Sequence, residues 1–221
     1  MDSIPEYVAF ISNRESMYRL LGHLYKFEID RALLDHMAGM RFPAECEDEE
    51  LAAGYRMMEE YLRQPGANPL ADLAADYKKI FTGMGISKTE AAFPYESIYT
   101  SPVARAHLQS IFKAKGLENS NAQNLPEDHI SIELEFMAYL CTEMQECLAA
   151  ENLPWVSAST AEQKEFLVRH LLNWVPAFCA EVQKCAGTQF YKAVAKITSG
   201  FLRMEKAIVE DLIEEWDVKS E

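Results

Sequence analysis

The sequence predicts an all-α protein, a single helical bundle of about eight to ten helices over residues 1–221 with a long aromatic-rich loop in the middle. Three observations predict it. The 221 residues hold only 9 Gly and 9 Pro, too few for the frequent tight turns of an all-β chain. Apolar residues recur at spacings of three and four along most of the length, and no stretch of useful length alternates with a period of two. No repeat of solenoid period is present. Hydrophobic content of 49%, with 11 Phe, 10 Tyr, 3 Trp and 10 Met, supplies one substantial core and leaves a second full domain unexpected.

The elements follow in order. Asp2 or Ser3 can cap a first helix with Pro5 in its opening turn, and Phe10, Met17, Leu20, Leu24 and Phe27 define its apolar face. Asp30 can cap a short second helix carrying Leu33, Leu34 and Met37, ended by Gly39 and Pro43. The acidic patch Glu45 to Glu50 opens a third helix through Leu62, with carboxylates at the positive end of the dipole, and Gln64-Pro65-Gly66 stops it. A fourth helix runs from Pro69 to Phe81, with Leu70, Leu73, Tyr77 and Phe81 inward. Residues 82–102 (TGMGISKTEAAFPYESIYTSP) have no helical period yet carry Met84, Ile86, Phe93, Tyr95, Ile98 and Tyr99. Long loops in compact domains are commonly functional, and one this rich in aromatic side chains must pack on something.

Arg105 to Lys115 reads as a short helix ended by Gly116, followed by a polar loop from Glu118 to Leu125. Ile130, Leu134, Met137, Cys141, Met144 and Leu148 then repeat at four, three, four, three, four. Thr160 is expected to cap the next helix, with Leu167, Leu171, Trp174, Phe178 and Val182 inward and a kink near Leu172 to Asn173 ahead of Pro176. Phe190, Val194, Ile197, Phe201, Met204, Ile208 and Leu212 form the last stripe.

Net charge is −14 and the isoelectric point about 4.8. Such a surface repels phosphate backbones and anionic membranes, so neither nucleic acid nor a stable membrane association is expected, while a cationic partner is drawn in. Five cysteines at an odd count, without C-x-x-C spacing, suit reduced core thiols better than a disulfide framework. The N-terminus lacks a basic segment followed by an apolar one, and no apolar run approaches the ~20 residues of a membrane helix, so a cytoplasmic location is expected.

Several chemistries find no support. There is no H-E-x-x-H, no Glu three residues before a histidine and no EF-hand loop, so no metal or cofactor is expected. Gly83 to Thr89 resembles a phosphate loop, but Ser87 stands where Gly should precede Lys88 and the segment follows a helix rather than a strand. Asp128-His129 is the sharpest polar pair. Adjacent helical side chains do not face each other, and Pro126, Glu127 and Asp128 fit a helix's first turn, so ordinary helix initiation and a polar site both stay open.

Three segments, in order, carry a family resemblance: Asp76-Tyr77-Lys78-Lys79-Ile80-Phe81 with Pro94-Tyr95-Glu96-Ser97-Ile98-Tyr99; Pro126-Glu127-Asp128-His129-Ile130 running into Glu133 to Met137; and His170 to Phe178 followed by Phe190-Tyr191. In these the chain resembles the TorD/DmsD/NarJ group of redox-enzyme maturation chaperones, most closely the TorD/DmsD branch. Pro126, Asp128 and His129 match the group's signature, while Leu125 occupies the place usually held by Glu or Gln. The resemblance implies an all-helical cytoplasmic chaperone without catalytic residues or a cofactor of its own. It implies binding of the twin-arginine signal peptide, or a related N-terminal segment, of a molybdenum-cofactor oxidoreductase precursor of the trimethylamine N-oxide or dimethyl sulfoxide reductase type, until cofactor insertion is complete. A monomer or a helix-swapped dimer is expected.

A receptor for a basic, apolar leader needs an oily groove with carboxylates near one end. Tyr77, Phe81, Tyr95 and Tyr99 are expected to line the apolar part, with Pro94 and Ser97 beside them, and Glu96, Pro126, Glu127, Asp128 and His129 to mark the polar end. Plain core packing is the competing reading for Tyr77, Phe81 and Tyr99, and Trp174 and Phe178 are assigned to the core. A helical hydrolase using Asp128 or His129, or a permanent adaptor subunit of a redox enzyme, are the alternatives.

Overall fold

The computed structural model describes residues 3–43, 46–82, 91–117 and 125–220. Ten helices occur among them: α1 (Ile4–Lys26), α2 (Arg31–Ala38), α3 (Glu49–Arg63), α4 (Pro69–Tyr77), α5 (Glu96–Tyr99), α6 (Ala104–Ala114), α7 (Ile130–Ala149), α8 (Leu153–Phe166), α9 (Val175–Cys185) and α10 (Gln189–Ser220). Wider π-turns at Lys78–Thr82 and Leu167–Leu171 extend α4 and α8. No strand forms among the described residues; a lone antiparallel bridge joins Tyr95 to His129.

Short aspartate side chains cap α2 and α3. Asp30 and Asp48 accept the Leu33 and Leu51 N–H groups at 2.7 and 2.8 Å, each contributing about 1 kcal/mol. Ser3 N–H donates to Glu6 at the start of α1. Gly66 and Gly116, at φ +83° and +68°, turn the chain after α3 and α6.

Packing follows the stripes. α1 lies along α7, and α10 lies along α3, α8 and α9. All six apolar residues of the α7 stripe are buried. Helices α3 and α10 meet almost backbone to backbone, because a Cβ on Gly54 would lie 2.8 Å from Ile197 N and one on Gly200 2.6 Å from Leu51 N. Trp174 and Phe178 are fully buried, as assigned. All five cysteines are free thiols, and burial pushes those of Cys141 and Cys179 up to about 12.

Four local expectations are corrected. The face α1 buries is centred on Tyr7, Ile11, Arg14, Tyr18, Leu21 and Tyr25, one residue round from most of the expected stripe; Leu24 is buried as expected, but Phe10, Met17 and Leu20 are half-buried and Phe27 is exposed. The rotation is possible because Arg14, inside the core, forks onto Glu205 of α10 at 2.7–3.0 Å. Thr160 caps nothing: α8 begins at Leu153 with Pro154 in its first turn, and Thr160 donates back to Val156 O from within the helix. Pro176 does not kink a continuous helix. The π-turn and a short turn end the preceding helix, and Pro176 opens α9, where its missing N–H costs no hydrogen bond. The middle loop is not wholly irregular, since it contains α5. Asp2, Glu45, the loop-like stretch Gly83 to Thr89 with Met84 and Ile86, and the polar loop through Asn124 lie outside the described residues.

Candidate peptide-binding site

The turn before α7 is built by Pro126 to His129. Pro126, Glu127 and Asp128 stand outside the helix rather than in its first turn, because His129 takes the capping position with an extended backbone. Its N–H donates to Pro126 O at 3.0 Å, and its Nδ1 accepts Ser131 N–H at 3.1 Å.

That extended corner is where residues 94–99 dock. Ile130 N–H donates to Pro94 O and Glu96 N–H to Asp128 O, both at 2.9 Å. Asp128 Oδ2 accepts from both the backbone N–H and the hydroxyl of Ser97. The Tyr95 ring meets His129 edge-on at 5.2 Å. Two segments 31 residues apart thereby form one latch. A second set of contacts ties it to the core. His170 Nδ1 donates to Glu96 Oε2 at 2.9 Å, Tyr99 stacks on Trp174 at 5.5 Å, and Trp174 Nε1–H donates to Glu133 Oε2 at 3.1 Å.

Burial divides the expected site residues into two groups. Glu96, Asp128 and His129 are 3%, 2% and 3% exposed, and Pro94 is also buried. Tyr95, Ser97, Tyr99, Pro126 and Glu127 are half-buried, and Ile98 between them is 57% exposed. Arg105 of α6 holds Glu127 at 2.8 Å. Burial, helped by the charge of Lys26, pushes His129 down to about 3, so its imidazole is neutral. Burial raises the Tyr95 phenol, with a smaller contribution from Asp128. Burial and then the neighbouring Glu96 hold Glu133 well above the usual carboxylate range, so it carries a proton.

Tyr77 and Phe81 belong to the aromatic cluster beside the latch, Phe81 buried and Tyr77 half-buried. The Tyr77 hydroxyl donates to Tyr25 O at 3.0 Å, and burial pushes it up to about 12. Phe81 packs among the rings of Tyr25, Tyr77, Phe178 and Tyr191, and connects to Tyr99 through Phe178. Asp76 accepts Gly187 N–H, Thr188 N–H and the Thr188 hydroxyl, tying α4 to the start of α10. The polar residues that sequence reasoning did not assign to the site are His170 and Glu133. Their partners lie 74 and 41 residues away, and no local spacing signals them.

A family model described as nitrate reductase delta subunit matches residues 44–180, more than half of the chain and all of the latch. The chain belongs to this family. Its relatives carry the name chaperone protein TorD. That of Vibrio cholerae O395 is 29% identical over 149 residues, 65% of this chain and 65% of the relative. That of Shewanella pealeana is 26% identical over 215 residues, covering 89% of this chain and 90% of the relative, and that of Vibrio atlanticus 28% over 214 residues, covering 89% and 94%. In the Vibrio cholerae matches the chain spans about 65% of the relatives' length. Family membership agrees with the resemblance read from Pro126, Asp128 and His129. No helix among the described residues is long and apolar enough to cross a membrane.

Proposed function

We propose that the chain is a cytoplasmic chaperone, not an enzyme, that holds the basic and apolar N-terminal leader of a molybdenum-cofactor oxidoreductase precursor and delays its export until the cofactor is inserted. Residues 1–221 act as one unit in this reading, as a monomer or a helix-swapped dimer. Membership of a family whose relatives here are named as chaperones supports it. The observation that carries the site is the latch, which presents half-exposed Tyr95 and Tyr99 and exposed Ile98 on a segment fixed from beneath by Asp128. Aromatic side chains on a rigid support give large contact area at little entropic cost. Tyr95, Ser97, Tyr99 and Glu127 then touch the leader, while Pro94, Glu96, Pro126, Asp128 and His129 hold the segment in shape. Tyr77 and Phe81 back it through Phe178.

The test is a titration with a synthetic twin-arginine signal peptide. Tyr95→Ala lowers affinity with the helical circular dichroism unchanged, and binding weakens as salt rises because the chain is strongly acidic. Unchanged affinity in Tyr95→Ala removes this face from the site. The hydrolase alternative needs Asp128 and His129 on an open cleft, whereas both are buried, Asp128 serves Ser97 and His129 serves Ser131. The adaptor alternative predicts a stable complex with mature enzyme rather than with its precursor.

A further inference from the structure

Helix α5 has only the four residues Glu96–Tyr99, too few to hold a helical turn unaided. Its shape is set from both ends, and both ends lead to the start of α7. At the first end Asp128 Oδ2 accepts the Ser97 N–H and hydroxyl, and Glu96 N–H donates to Asp128 O at 2.9 Å. At the second end the Tyr99 ring lies on the indole of Trp174, with centroids 5.5 Å apart and planes 28° apart. Phe178 closes against both rings, 6.1 Å from Tyr99 and 5.5 Å from Trp174. Trp174 is fully buried and Tyr99 half-buried, so a turn of the indole is passed to a ring that reaches the surface.

A polar contact holds the indole in turn. Trp174 Nε1–H donates to Oε2 of Glu133, in the first turn of α7, at 3.1 Å, and Glu133 N–H donates to His129 O at the latch corner at 3.2 Å. Stacking fixes the plane of an indole but not which edge faces which way, since the ring can turn over about its Cβ–Cγ bond. The hydrogen bond to Glu133 selects one orientation. It does so at a cost in stability, because Glu133 is fully buried and its other oxygen has no hydrogen-bond partner among the described residues.

We propose that Glu133 and Trp174 are positioning residues of the peptide-holding face: the carboxyl fixes the edge of the indole, and the indole fixes the angle at which Tyr99 meets the bound leader. The proposal rests on the peptide-holding reading above and deepens it. Both side chains are fully buried, so neither touches the leader, and their effect on affinity passes through Tyr99. A leucine would fill the place of Glu133 without stranding a polar oxygen, so what the acid contributes is orientation rather than stability.

The full chain is titrated with a synthetic twin-arginine signal peptide. Glu133→Leu, which removes the acceptor, is expected to bind about fivefold more weakly with its circular dichroism unchanged, while Glu133→Gln, which keeps an acceptor, is expected to stay within about twofold of wild type. In a Tyr99→Leu background, Glu133→Leu is expected to change affinity by less than about twofold, because the ring it acts through is gone. In the ¹⁵N-labelled wild type the Trp174 indole N–H resonance is expected to shift in step with binding, while that of Trp216, near the end of α10 against Tyr7, stays in place. Wild-type affinity in a folded Glu133→Leu, a loss that Glu133→Gln shares, the same fivefold loss in the Tyr99→Leu background, or a stationary Trp174 resonance at saturating peptide each overturns the positioning role and leaves the peptide-holding reading standing. If Glu133→Leu loses its helical circular dichroism, the Trp174 resonance of the wild type decides alone. Failure of the wild-type chain to bind the peptide overturns both.

Discussion

Glu133→Gln isolates a cost that the fold carries at neutral pH. Glu133 is completely buried on α7, one carboxyl oxygen accepts Trp174 Nε1–H, and the other has no hydrogen-bond partner among the described residues. Burial and the nearby Glu96 raise it well above its ordinary value of 4.5, so the folded chain keeps a proton that the unfolded chain releases. The unfolded state then binds fewer protons, and stability falls as pH rises above about 4.5 by about 1.4 kcal/mol per unit until the raised folded value is reached. Glutamine keeps an acceptor for Trp174 and cannot titrate. Titrating groups that are not coupled to Glu133 are common to both proteins and cancel in the difference. Denaturant titrations followed by far-UV circular dichroism at pH 5, 6 and 7 should therefore show the gap moving in favour of the variant as pH rises above 4.5, by at most about 1.4 kcal/mol per unit. A gap that stays constant across this range refutes the assignment of a protonated Glu133.

His129→Gln tests the opposite limb. His129 is neutral when folded and titrates near 6.5 when unfolded, so wild-type stability should fall as pH drops from about 6.5 towards about 3, and the variant should lose less over the same range in the same titration. Asp128→Asn weakens the two hydrogen bonds to Ser97 and should cost about 1–3 kcal/mol locally, read as faster amide exchange at Ser97 and Ile130 with little change at Met137. Arg14→Met strands Glu205 in the core and should cost about 3–5 kcal/mol in chemical denaturation, most of it restored by adding Glu205→Leu.

Much of the fold was legible because helical period survives in sequence wherever one face is consistently apolar. The α7 stripe is the clearest case, with every residue of the pattern buried. α1 was misread by one position because its buried face contains Arg14, which an apolar count passes over, and because its partner Glu205 lies 191 residues away. The true start of α8 was signalled by Pro154, but Thr160 offered a competing cap and its hydroxyl instead satisfies Val156 O inside the helix. At the site, Pro94–Tyr99 and Pro126–His129 could each be picked out as unusual. Their hydrogen bonding to each other, and the burial that turns Glu96 and Asp128 from surface charges into latch acceptors, arise only from tertiary packing.

The central claim is that the latch face holds the leader of an unfinished redox enzyme. The most direct measurement compares affinity for a cofactor-free precursor with its leader intact and with that leader removed. The account predicts tight binding to the intact precursor, a large loss on removing the leader, and a similar loss with Tyr95→Ala. Equal affinity for the two forms, or preferential binding to mature cofactor-loaded enzyme, contradicts it.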